Sequence, residues 1–203
     1  MNSPAPVVLT GLHVRLVPLT LDHVPALCEA GLDPELWRLT VEHVGSADDL
    51  RGYVERALAA QAAGTALPFA VIHAASGRVA GTTRYANIAP EHDRLEIGWT
   101  WYGRPWQRTA VNTECKFLLL RHAFETLECA RVEFKTDVLN QRSRAALRRI
   151  GATEEGVLRG HMRTRQGRRR DTVYFGILRD EWAAVRDRLE TLLASGGGPA
   201  ALS

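Results

Sequence analysis

Apolar residues along the chain switch between a two-residue and a three-to-four-residue period, and the switches mark out its elements. His13–Leu19 predicts a strand, with Val14, Leu16 and, past Pro18, Leu19 apolar. Thr20 and Asp22 offer helix-starting side chains, and Val24, Leu27 and Cys28 then share one helical face as far as Gly31. After a loop with Pro34, Ser46 can cap a second helix in which Leu50, Tyr53, Val54, Ala57 and Leu58 recur at helical spacing, closed by Gly64. Leu67–Ala74 and Arg78–Asn87 read as two strands joined through Ala75-Ser76-Gly77. Leu95–Trp101 alternates: Leu95, Ile97, Trp99 and Trp101 are expected on one face, and Glu96, Gly98 and Thr100 on the other.

A loop from Tyr102 to Arg108 leads into a long helix through Phe117, Leu118, Leu120, Phe124 and Leu127. Arg131–Val138 predicts a strand, and Gln141–Ile150 a helix stopped by Gly151. Thr153–Arg165 and Arg169–Leu178 predict a closing hairpin about Gln166-Gly167. A last helix begins near Asp180, with Trp182, Val185 and Leu189 facing the sheet. Residues 195–203, with three glycines and a proline, are expected to form a flexible tail. The order β-α-α-β-β-β-α-β-α-β-β-α implies a mixed sheet with helices packed on it, an α/β (mixed α+β) class rather than a doubly wound repeat. Neither a repeat nor a linker divides the 203 residues, so one domain is expected over residues 1–194.

Composition narrows the function classes. Apolar residues make up 45% and charged residues 24%, ordinary for a globular protein. The formal charge is +3, carried almost wholly by arginine, since Lys116 and Lys135 are the only lysines. That balance suits an anionic ligand without requiring nucleic acid. Arg159, Arg163, Arg165, Arg168, Arg169 and Arg170 form a basic run about the closing hairpin. It reads first as a solvated hairpin and second as a site for an anionic cofactor or acidic substrate. No recognition helix or stacking motif accompanies it, so nucleic acid is not expected. Cys28, Cys115 and Cys129 are odd in number, widely spaced and without a CxxC pair, which predicts reduced thiols. No His, Cys or carboxylate set has metal-ligand spacing, so no metal is expected. The start, Met1–Val8, lacks a signal-peptide pattern, and no apolar run approaches the ~20 residues of a membrane span, so a cytoplasmic protein is expected.

Three features carry candidate chemistry. Gln107-Arg108-Thr109-Ala110-Val111-Asn112 stands just before the long helix, where free backbone N–H groups and the helix dipole make a pyrophosphate site, with Thr109 as N-cap. Taken alone, the same residues also describe an ordinary capped helix. Asn140-Gln141-Arg142-Ser143 lies at a strand end and helix start, with Gly151 beyond, and an Asn side chain there can donate to and accept from an amide. Capping is the plainer reading. Glu96 lies on the strand before the first turn, beside Gly98, and a glycine inside a strand marks a bulge or a close backbone approach. A solvated carboxylate is its plainer reading.

Together, in this order and spacing, the features from Leu95 to Gly151 resemble the GNAT acetyltransferase superfamily, and most of all its Rim-type branch, which acetylates protein N-termini. The Glu96–Trp99 strand, the turn from Gln107 to Asn112, and Asn140, Ser143 and Gly151 carry the likeness. Arg15-Leu16 with Pro18-Leu19 and Arg170-Asp171 support it over about residues 10–190. Ala110 stands where the family's turn has its first glycine, and alanine can adopt the helical dihedrals of a first turn. Asn112 replaces a second small residue and can cap or contact phosphate. Leu147 stands where many members carry an acidic tyrosine; in the Rim-type branch a serine at the Ser143 position is the proposed substitute.

The resemblance implies a single GNAT-like domain with a central, mixed, mostly antiparallel sheet flanked by helices. It implies acetyl transfer from acetyl-CoA to a primary amine, with the α-amine of a peptide or protein N-terminus foremost. A small-molecule amine and a non-catalytic CoA-binding protein are the alternatives. It assigns Glu96 as base, through a water, and Ser143 as donor to the leaving thiolate. It assigns cofactor contacts to Trp99, Thr100 and Trp101, to Gln107 through Thr113 (Arg108, Thr109, Ala110, Val111 and Asn112 between them), and to Asn140 and Ser143. Arg104, Arg108, Arg144 and Arg148 are candidates for the 3′-phosphate. A monomer or homodimer is expected.

Overall fold

Helix starts are set locally by side chains standing in for missing helix partners. The Ser46 hydroxyl accepts the Asp49 N–H at 3.1 Å, while the Asp49 carboxylate accepts from Gly45 N at 3.0 Å and Ser46 Oγ at 2.9 Å. Thr109 Oγ1 accepts from Val111 N at 3.3 Å, and Asn140 Oδ1 from Ser143 N at 3.0 Å. These caps begin α2 (Ala47–Ala62), α3 (Ala110–Arg121) and α4 (Gln141–Ile150). The remaining helices are α1 (Val24–Gly31) and α5 (Trp182–Ala194), and α3 runs on into a π turn at His122–Thr126. The computed structural model describes residues 1–196.

Eight strands form one sheet: β1 (Leu9–Thr10), β2 (Val14–Pro18), β3 (Ala66–His73), β4 (Val79–Ala89), β5 (Arg94–Tyr102), β6 (Arg131–Asp137), β7 (Thr153–Arg163) and β8 (Arg169–Leu178). Their order is β1-β2-β3-β4-β5-β6-β8-β7. Every neighbouring pair is antiparallel except β5 and β6. That parallel pair is short: Arg94, Leu95 and Glu96 face Arg131, Val132 and Glu133, and beyond them the strands part. The expected mixed, mostly antiparallel sheet is therefore observed, with one short edge strand, β1, that the sequence pattern did not show.

Two cores cover the sheet. On one face α3, α4 and α5 pack through Val111, Leu118, Leu147, Ile150, Trp182, Val185 and Leu189 against Leu95, Ile97, Phe134 and Phe175. On the other face α1 and α2 pack through Leu27, Leu50, Tyr53 and Val54 against Ala70 and Trp101. The expectation that Leu95, Ile97, Trp99 and Trp101 share a face is corrected here. Arg84 pairs with Gly98 and Thr82 with Trp101, so β5 carries one residue more than β4 across this step. Trp99 takes φ 48 within that bulge, and Trp99 and Trp101 turn into the α1–α2 core while Leu95 and Ile97 stay opposite. Of the tail, Ser195 and Gly196 form a turn after α5. Residues 197–203 lie outside the described residues, and so does the expected flexibility there. Among the described residues, no helix is long and apolar enough to cross a membrane.

Candidate active site

The parting of β5 and β6 brings two helix starts together on one face of the sheet. Arg108 takes a left-handed turn (φ 61), Thr109 is extended, and α3 begins at Ala110. Ala110 and Val111 are buried and Asn112 half-buried. The alanine in the family's glycine position thus has an ordinary helical backbone. The early amides of α3, which no residue within a helix can satisfy, make an electropositive cradle that fits a phosphate. Gln107 is used at both ends: its Nε2 donates to Tyr102 O at 2.9 Å, and its Oε1 accepts from Arg142 Nη1 at 2.7 Å. That second bond ties the start of α4 to the start of α3. Arg149 Nη2 reaches Thr113 Oγ1 at 2.8 Å, so the buried Thr113 hydroxyl is spent on packing these helices together. Asn140 caps α4, and Ser143, half-buried in its first turn, makes no side-chain hydrogen bond to the described chain.

The four arginines expected near a 3′-phosphate are not equivalent. Arg104 is paired with Asp33, and Arg144 and Arg148 with Glu154. Arg108 is exposed and belongs to none of these pairs.

On the opposite face, the same parting opens onto buried charge. Glu96 is 3% exposed. Its carboxylate accepts from Asn87 Nδ2 at 2.6 Å and pairs with Lys135 Nζ at 2.9 Å. A Cβ at Gly98 would stand 2.8 Å from Glu96 Oε1, so glycine is what allows the carboxylate to lie over the strand. Lys135 also lies over the Tyr174 ring at 5.0 Å. Burial pulls its ammonium down, but the attraction and hydrogen bond of Glu96 outweigh this and hold it above the ordinary lysine value.

Sequence reasoning passed over Lys116. It rises from α3 into the wedge, with Nζ 3.2 Å from Thr100 Oγ1 on β5 and 5.3 Å from the Phe134 ring centroid on β6. Burial pushes its ammonium down to about 8. A lysine inside an apolar helix pattern was the available sign. Thr100 Oγ1 also meets Thr83 Oγ1 at 2.8 Å, and Arg84 lies 5.0 Å from the Trp99 ring centroid. The Trp101 side chain packs on Trp37, which leaves only its backbone for a cofactor. From the α1–α2 connection, Glu42 accepts from Arg165 at 3.1 Å and His43 meets Gln166 at 3.1 Å. His161 packs edge-on against Tyr174, and Trp106 against His73. Among the described residues, no group of three His, Cys, Asp or Glu side chains is placed to hold a metal ion.

Known proteins resemble this chain in sequence and in fold. Residues 13–153 match the Acetyltransf_3 family, the acetyltransferase (GNAT) domain. The chain is 33% identical over 106 residues to a Bacillus subtilis (strain 168) protein named "Putative ribosomal N-acetyltransferase YdaF". That match spans 52% of this chain and 57% of the relative's own length. A solved structure from T. thermophilus, described as a "putative acetyltransferase", is 38% identical and superposes with a TM-score of 0.86, covering 94% of this chain and 98% of that one. A GCN5-related N-acetyltransferase from Brucella melitensis is 30% identical, with a TM-score of 0.87 over 95% of this chain and 87% of that one. The chain belongs to the GNAT acetyltransferase family.

Proposed function

We propose that the protein acetylates a primary amine, the α-amine of a peptide or protein N-terminus, with acetyl-CoA as donor and both held together between β5 and β6. The observation that carries this is the parting of β5 and β6 beyond Glu96 and Glu133. The capped start of α3 meets it on one face and the buried Glu96 carboxylate on the other. A pyrophosphate on the amides from Arg108 to Asn112 would fix one end of the donor. Its extended arm would then run along β5, where the bulge at Gly98–Thr100 interrupts the ladder to β4 and frees backbone donors for the thioester oxygen.

An α-amine has an ordinary pKa of about 7.7–8.0, so near neutral pH it is mostly ammonium and must give a proton to a base before its lone pair attacks; a second proton, shed as the C–N bond forms, neutralises the leaving thiolate. Glu96 takes the first proton through a water in this reading, on Oε1, since Asn87 and Lys135 both hold Oε2. Ser143 then donates a hydrogen bond to the leaving thiolate. Positioning supplies much of the rate. The name of the B. subtilis relative, a ribosomal N-acetyltransferase, supports a protein N-terminus as acceptor and a cytoplasmic setting.

A second reading has its own observation. Glu42 and His43 tie the α1–α2 connection to Arg165 and Gln166 of the β7–β8 turn, and a groove closed by that tie would admit a small amine more readily than a peptide. Acetyl-CoA turnover against a panel of N-terminal peptides and small amines, read as free thiol, separates the two. Turnover confined to peptides supports the first reading. Turnover confined to amino acids, polyamines or amino sugars replaces it with the second.

A further inference from the structure

The charged face around Glu96 holds more cations than it has partners for. Glu96, Glu133 and Asp137 lie there on β5 and β6, and each is already matched, Glu133 by Arg94 and Arg131. Glu96 is paired with Lys135 and hydrogen-bonded by Asn87. Asp137, 1% exposed, is paired with Arg168 and accepts the Leu139 N–H at 2.9 Å. Arg170 has no such match. It follows Arg169 at the start of β8, on the strand face opposite the core residues Val173 and Phe175. Its side chain belongs to a residue only 6% exposed, makes no hydrogen bond to the described chain, and leaves Nε buried and unpartnered. Burial holds it below the ordinary arginine value, against the attraction of Asp137 and Glu96. Arg84, on β4 and also 6% exposed, covers the same sheet face, with its guanidinium against the Tyr53 and Trp99 rings and no hydrogen bond to the described chain.

A buried guanidinium without an acceptor is unstable unless something else supplies one. Guanidinium donors are planar and forked, and a carboxylate matches them with two parallel bonds. Arg170 lies on β8, across β6 from Glu96 and on the same sheet face, so an anion bound to it would sit on the side of the sheet where Glu96 receives the amine.

We infer that Arg170 is an anion-reading residue of the acceptor site, and that the preferred acceptor is a primary amine carrying a carboxylate close to it. This rests on the acetyl-transfer reading above and narrows its substrate class. The carboxylate has two sources: the side chain of an N-terminal Asp or Glu, or the α-carboxylate of a free amino acid.

The test compares kcat/KM for peptides beginning with Asp or Glu against the same peptides beginning with Asn or Gln, and for free alanine against alaninamide. The wild type should favour the acid of at least one pair by about ten- to hundredfold, the range of a hydrogen bond to a charged group. Whichever pair shows the preference identifies the source. Arg170→Gln should abolish that preference, its loss in kcat/KM being about ten- to hundredfold larger for the acidic acceptor than for the neutral one, while Arg170→Lys retains part of the preference. Equal rates within both pairs for the wild type overturn the inference and leave acetyl transfer standing. So does an Arg170→Gln loss that is the same for acid and neutral acceptors. Should no amine be turned over, the acetyl-transfer reading fails, and calorimetry still decides the anion site. The wild type should bind N-acetylaspartate α-amide more tightly than N-acetylasparagine α-amide, or N-acetylalanine more tightly than N-acetylalaninamide, and lose that advantage in Arg170→Gln; equal binding within both pairs overturns the site.

Discussion

Replacing Lys116 with Met removes a buried charge that reaches from α3 to Thr100 and the Phe134 ring while keeping an unbranched side chain of similar length. Lys116 is 6% exposed, and burial lowers its ammonium from 10.5 to about 8. At about 1.4 kcal/mol for each tenfold change in proton affinity, that gap corresponds to about 3 kcal/mol. The sign follows from which state holds the proton. Between about pH 8 and 10.5 the unfolded lysine is protonated and the folded one is not, so its contribution to stability rises with pH through that window. Below pH 8 the full cost is present. Removing the charge should therefore stabilise the protein at pH 7. The lost bond to Thr100 Oγ1 offsets about 1 kcal/mol of this, leaving a net gain of about 2 kcal/mol.

Other groups titrate in the same range and must be cancelled. Burial raises the Cys115 thiol to about 12 and the Cys129 thiol to about 11, which lowers stability above pH 9 in both proteins. The quantity to measure is the difference in urea-unfolding free energy between Lys116→Met and the wild type, from pH 7 to 10.5. It should start at about +2 kcal/mol and fall by about 3 kcal/mol across the window. At neutral pH the variant should melt about 4–8 °C higher, at 2–4 °C per kcal/mol for a chain of this size. A difference that does not change with pH, or a variant less stable at pH 7, would refute the reasoning.

Three further outcomes are expected. Glu96→Gln should lower turnover by about 10²-fold near neutral pH, with the loss shrinking as the amine deprotonates unaided at higher pH; the pH–rate profile reads this directly. A weak hydroxyl donor contributes at or below the low end of acid catalysis, so Ser143→Ala should slow turnover by about tenfold to 10²-fold and leave CoA affinity within about twofold. Full turnover by that variant, under conditions where chemistry limits the rate, would make Ser143 only a helix-start residue. Glu114→Ala should destabilise by about 3 kcal/mol in denaturant unfolding, because one buried carboxylate accepts the backbone N–H groups of Leu12, His13 and Val14 at 2.6–2.8 Å.

The elements were legible where local chemistry decides them. Gln141–Ile150 is bounded by an Asn cap and a glycine, and its bounds are those the sequence predicts. The two helix starts beside the proposed site were legible as a succession, because Thr109 and Asn140 each cap the helix that follows them. What was hidden depends on contacts between strands. The extra residue that β5 carries opposite Thr83 shows only when β4 is paired with it, so period-two counting through Trp99 and Trp101 gave the wrong face. Glu114 looks like any helix carboxylate until the turn at Gly11–Val14 is folded against it. Lys116 and Arg170 gain their character only when neighbouring strands bury them, and the ion pairs of Arg104, Arg144 and Arg148 join segments that no local pattern links.

The central claim is that acetyl transfer takes place where β5 and β6 part. A crystal structure with CoA and an acceptor amine tests it most directly. The account predicts the pyrophosphate on the backbone N–H groups from Arg108 to Asn112, the sulfur between Thr100 and Ser143, and the amine on the Glu96 side of the sheet. CoA bound elsewhere, such as the concavity on β7 lined by Val157, His161 and Asp171, or an amine remote from Glu96, would contradict it.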